Sequence, residues 1–147
     1  MDEAILYKII LHATDLKENH RIYCQQAVKL AKAFNAELHF LHVIEPPKSL
    51  QFAQSLGFAE IAKPSKEDAQ TVMDLLCESL GIPPEQQYIE IGTASQHILQ
   101  KIKDLGCDLV ILGSHSSSLP AFLGSTANAV MHHASCDVLT LRNTETG

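Results

Sequence analysis

The chain has 147 residues, 46% of them apolar, with a net charge of −6 and a pI near 5.7. This length and apolar content predict one domain, residues 1–147, with a buried core, and exclude a disordered chain. The acidic balance and the lack of a basic cluster argue against nucleic acid as a partner, and no apolar run is long enough to span a membrane.

Aromatic residues are sparse and Trp is absent, so the core is expected to be aliphatic. Met1-Asp2-Glu3 is acidic where a signal peptide would be basic, which makes the cytoplasm the expected compartment. Cys24, Cys77, Cys107 and Cys136 are widely spaced and form no C-x-x-C pair, so free thiols are expected.

In chain order, Tyr7 to Ala13 reads as a short strand that runs into Thr14-Asp15. Tyr23, Ala27, Leu30, Ala31 and Phe34 then repeat with helical period, and Asn35 is a left-handed stop. Glu37 to Val43 alternates with period two and ends at Glu45-Pro46-Pro47. Residues 46–64 form a connection longer than compact domains usually carry. Leu50, Phe52, Leu56, Phe58 and Ile61 anchor it as a packed excursion containing a short helix, with a lid or partner-contact segment as the functional alternative.

Ser65 and Asp68 resemble a capping box ahead of a helix whose apolar face is Ala69, Val72, Met73, Leu76 and Leu80. Gly81 and Pro83-Pro84 end that helix, and Gln87 to Ile91 is a third strand. Gly92-Thr93-Ala94-Ser95 turns into a helix carrying Ile98, Ile102 and Leu105, stopped by Gly106. Asp108-Leu109-Val110-Ile111-Leu112 has the continuous apolar run of a strand covered on both faces. Ala127, Val130, Met131 and Ala134 mark a last helix, and Asp137 to Arg142 a last strand. Alternating strands and helices imply an α/β three-layer sandwich around a five-stranded, mostly parallel sheet with right-handed crossovers.

In such sheets ligands bind outside the carboxyl ends of the strands, where strand order switches. The richest end runs from Gly113 to Thr126 and delivers Gly124-Ser125-Thr126 to a helix N-terminus. Main-chain N–H groups, the helix dipole and Ser/Thr hydroxyls suit an anion there. An ordinary loop with a capping Ser or Thr is the alternative. The segment is neither a P-loop with G-K-[ST] nor a G-x-G-x-x-G turn. His132 and His133 are adjacent, and His39 and His42 point to opposite sheet faces, so no metal site is expected. Ser114-His115-Ser116 has no visible orienting acid, and no catalytic residue is assigned.

Ala13-Thr14-Asp15, Asp108 to His115, Leu123-Gly124-Ser125-Thr126-Ala127-Asn128-Ala129-Val130 and Asp137-Val138-Leu139 together resemble the universal stress protein family, in nearly the whole length and element order. The resemblance implies a fold like that of adenine nucleotide alpha hydrolases and a non-enzymatic role in stress response and signalling, with an ATP- or AMP-binding sensor or a slow ATPase as the alternative. It also implies a homodimer formed through the last strand, here Val138, Leu139 and Leu141, other proteins as partners, and ATP or another adenine nucleotide as candidate ligand. The ATP-binding branch carries Gly, two residues, Gly, nine residues, Gly, then Ser or Thr. Laid on this chain, the first Gly is Gly113 and the final pair is Gly124-Ser125. The middle Gly is replaced by Ser116, and seven residues separate Ser116 from Gly124. These departures resemble the branch without ATP binding, or one with altered nucleotide choice. If a nucleotide binds, the resemblance places its sugar or base at Asp15 and its base at the backbone of Val43. Its phosphates would lie at Gly113, Ser116, Gly124, Ser125 and Thr126.

Overall fold

A computed structural model describes residues 6–14, 21–46, 48–57, 66–113 and 125–142. The strands are β1 (Ile9–Ala13), β2 (Glu37–Ile44), β3 (Gln87–Ile91), β4 (Leu109–Gly113) and β5 (Asp137–Leu141). The helices are α1 (Arg21–Phe34), α2 (Lys48–Ser55), α3 (Lys66–Leu80), α4 (Ala94–Leu105) and α5 (Ser125–His133), with a 3₁₀ turn at Pro84–Gln86 before β3. Among the described residues the strands form one five-stranded sheet in the order β3-β2-β1-β4-β5, and every neighbouring pair is parallel.

Two cores cover the two faces of this sheet. On one face Ile10, Phe40, Ile89, Leu109 and Ile111 pack with Cys24, Ala27 and Ala31 of α1 and Met73 and Cys77 of α3. On the other, Leu11, Leu41, Val110 and Leu112 pack with Ile98 and Ile102 of α4 and Ala127 and Val130 of α5. Consecutive residues of the central strands thus feed opposite cores, which is why β4 has no polar alternation. Asn35 stops α1 at φ 54°, as its short polar side chain allows, and Gly106 stops α4 at φ 66°.

Several boundaries differ from the sequence expectation. β1 begins at Ile9 rather than Tyr7, and β4 at Leu109 rather than Asp108, for one shared reason. The Asp108 carboxylate turns back and accepts the main-chain N–H groups of Lys8 and Ile9 at 2.7 and 3.0 Å. Those two bonds hold its carboxyl below the ordinary range. β5 ends at Leu141, one residue earlier than expected. Val72 is 45% exposed because the buried face of α3 runs through Met73 and Cys77, flanked by Ala69, Leu76 and Leu80. Met131 is 49% exposed because Ala127 and Val130 take the buried stripe of α5. α2 supplies the short helix expected within residues 46–64. The capping Ser65 lies outside the described residues, as do residues 58–64 and 143–147.

Candidate functional site

Strand order reverses between β1, whose chain continues to β2 and β3 on one side, and β4, which lies on its other side. The register pairs Ala13 with Leu112 and Gly113 with Leu141, so the ends of β1, β4 and β5 lie level at one edge of the fold. β2 reaches further, to Ile44. A doubly wound sheet opens its ligand crevice at this switch.

The end of β1 is fastened on several sides. Thr14 is buried, and its N–H donates to the Leu41 carbonyl at 2.9 Å. Its carbonyl accepts from Nδ1 of His42 at 2.8 Å, and its hydroxyl lies 3.6 Å from the Cys24 thiol of α1. Asp15, the next residue, lies outside the described residues. What the structure fixes is the platform from which Asp15 leaves.

Val43 follows from the pleat. Main-chain groups of successive strand residues point alternately to the two neighbouring strands. Leu41 O accepts from Thr14 on the β1 side, and Ile44 O accepts from Gly92 N–H on the β3 side at 2.9 Å. Val43 therefore turns its N–H and C=O toward β1, one rung beyond the last β1–β2 bond. Among the described residues no bond joins Val43 N–H to the Thr14 carbonyl. The two Val43 groups thus face the β1 side at the carboxyl end of β2 as an adjacent donor and acceptor.

Two helices begin at this edge with different surroundings. The N-terminus of α4 is served from within: the Glu45 carboxylate accepts Ala94 N–H at 2.7 Å. Beside it Gly92 sits at φ 148°, and a Cβ there would lie 2.7 Å from Nε2 of His97, which donates to Ile91 O at 3.1 Å. An L side chain at that turn would be strained and would have to displace the His97 ring. α5 begins at Ser125, exposed, with Thr126 half-buried. Gly113 closes β4 at the crevice, while Ser116 and Gly124 lie outside the described residues. Of the expected nucleotide residues, the structure brings Val43 and Gly113 to one edge with Thr14. His42 is a site-edge residue that the sequence reading weighed only as a metal ligand. Its period-two position marked it as strand, and nothing in the sequence indicated that it would bond across to β1.

The remaining titratable groups lie elsewhere. His12 is buried, donates from Nδ1 to Ile111 O at 3.0 Å and stacks edge-on against Phe40. His39 joins Glu37 and Tyr88 at the opposite end of β2. Among the described residues no group of three His, Cys, Asp or Glu side chains converges as a metal site. Burial pushes the Cys77 and Cys107 thiols up to about 12, so neither is a nucleophile at neutral pH. All four cysteines are free. No helix among the described residues is long and apolar enough to cross a membrane.

The edge strands also differ from each other. Alongside β3, Lys101 lies over the Tyr88 ring at 4.3 Å and meets Glu90 at 3.5 Å. β5 presents half-buried Val138, Leu139 and Leu141 with no charge between Asp137 and Arg142. At its start, Tyr7, Leu30, Phe34, Leu109, Asp137, Val138 and Leu139 line an open groove of about 400 Å³.

The model of the universal stress protein family matches residues 6–142. Universal stress protein A homolog 2 of Coxiella burnetii is 34% identical over 139 residues, covering 92% of this chain and 95% of its own. The solved structure of hypothetical protein MJ0577 superposes with a TM-score of 0.71 at 25% identity, covering 97% of this chain and all of that one. A universal stress protein solved in complex with cAMP superposes with a TM-score of 0.64 at 16% identity, covering 93% and 98%.

Proposed function

The chain belongs to the universal stress protein family, and from that premise we propose a non-enzymatic stress-response and signalling module, homodimeric, whose state is set by an adenine nucleotide at the carboxyl ends of β1, β2 and β4. The observation that carries the nucleotide reading is that Val43 N–H and C=O, side by side at the carboxyl end of β2, face the β1 side next to the strand-order switch. An adenine edge offers the complementary acceptor and donor. A relative of the same fold holds cAMP, which places a cyclic adenine nucleotide among the ligands to test.

The altered loop shapes the choice of ligand. Ser116 in place of Gly, and the seven-residue spacing to Gly124, change the N–H groups that a triphosphate would meet. The base and sugar contacts at Val43 and Asp15 do not depend on that loop. AMP, cAMP or ADP should therefore bind at least as well as ATP.

The dimer reading rests on β5. Among the described residues it is an edge strand whose outer main-chain groups lie beside apolar side chains, the combination that favours association with a second copy. β3, the other edge, carries Glu90, paired with Lys101 of α4.

The test is to denature freshly purified protein, identify released small molecules by mass spectrometry, and titrate AMP, cAMP, ADP and ATP by calorimetry. Binding of an adenine nucleotide without turnover is expected. A folded protein that releases none and binds none overturns the nucleotide reading. Metal-dependent hydrolysis that persists through purification overturns the non-enzymatic one.

A further inference from the structure

We propose that His42 is a positioning residue for base recognition, an inference that rests on the adenine-nucleotide reading above. In a continuing parallel ladder the next β1 carbonyl, that of Thr14, would accept from Val43 N–H. Here the Thr14 carbonyl instead accepts from Nδ1 of His42 at 2.8 Å, while Thr14 N–H keeps its bond to Leu41 O. The imidazole thus ends the β1–β2 ladder one rung early. A carbonyl only accepts, so Nδ1 carries the proton in this contact.

Two consequences follow from the same bond. The Thr14 carbonyl is drawn to the ring, and Val43 N–H remains available to a ligand atom. Thr14 itself is also held against β2, by this bond and by its N–H to Leu41 O, which fixes the β1 side of the place where a base can enter. His42 acts through Thr14 and Val43 and is not itself placed against the ligand.

Asn and Leu at position 42 separate this role from packing. The Asn amide nitrogen falls close to the place of imidazole Nδ1, and Leu has similar size without a donor. Binding of AMP and of ribose 5-phosphate, which lacks the base, would be measured for the wild-type chain and for His42→Leu, His42→Asn and His42→Gln. His42→Leu should weaken AMP about tenfold, the effect of losing one buried hydrogen bond. Ribose 5-phosphate should be unchanged, and His42→Asn should restore AMP binding. His42→Gln carries its amide one bond too far and should not restore it, which keeps the test decisive if the Leu variant fails to fold. Equal weakening of both ligands, no weakening at all, or no rescue by Asn overturns the assignment while leaving the nucleotide site standing. A folded wild-type protein that binds no AMP overturns the site and this assignment with it.

Discussion

Replacing Val43 by Pro removes one N–H from the crevice and should leave the rest of the ladder intact. Val43 faces the β1 side beyond the last β1–β2 bond, and the adjacent rung to β3 belongs to Ile44. Pro is tolerated in a strand where its missing N–H makes no rung. Stability should fall by about 1 kcal/mol, from lost packing of a half-buried Val. The ligand loses more: a base acceptor left without its donor costs about 1–2 kcal/mol, which is about 5- to 30-fold in Kd. Ile44→Pro is the contrast, since it deletes a rung to β3 and should lower the unfolding midpoint more. Calorimetric titration with AMP alongside urea unfolding reads both quantities. A folded Val43→Pro protein that binds AMP as tightly as wild type would refute the reasoning, because the Val43 main chain would then play no part in recognition.

Three further outcomes follow from the structure. The Asp108 carboxyl is held low by the N–H groups of Lys8 and Ile9, so its contribution is complete above its ordinary value of about 3.9 and is lost as pH falls through the lowered value. Asp108→Ala should cost about 1 kcal/mol at pH 7, the low end for an exposed acceptor of two bonds, and urea midpoints from pH 7 to pH 3 should show a smaller acid loss in the variant. Gly92→Ala places a methyl 2.7 Å from His97 Nε2 at φ 148°, and should destabilise by about 1–3 kcal/mol. Adding His97→Ala should recover only the contact part of that loss, and an unchanged midpoint in Gly92→Ala would contradict the turn geometry. Leu141→Glu on β5 should convert a dimer to monomer in light scattering while circular dichroism stays native. A monomeric wild-type chain, or a dimeric variant, would contradict the β5 interface.

Most of the fold could be read from the sequence, because periodicity reports burial directly. The unbroken run Leu109-Val110-Ile111-Leu112 could only be a strand covered on both faces, and it lies near the centre of the parallel sheet. Asn35, Gly81 and Gly106 ended helices where their backbone freedom predicts. Tyr7 and Asp108 were misread as strand because local pattern cannot show a carboxylate 100 residues away capping the start of β1. Val72 was misread because helical period alone leaves the edge of an apolar face undefined by one position.

The site divides in the same way. The strand-end positions of Val43 and Gly113 were legible from the apolar pattern. The roles of His42 and Glu45 were not: one side chain ends a ladder from the neighbouring strand, and the other serves the helix following β3. The sequence by itself determined which segments are strands and helices and which ends gather at the crevice, because hydrophobic period and turn residues are local. Only the tertiary structure decided which main-chain groups remain open there, because that depends on which strand lies beside which and on bonds between residues far apart in the chain.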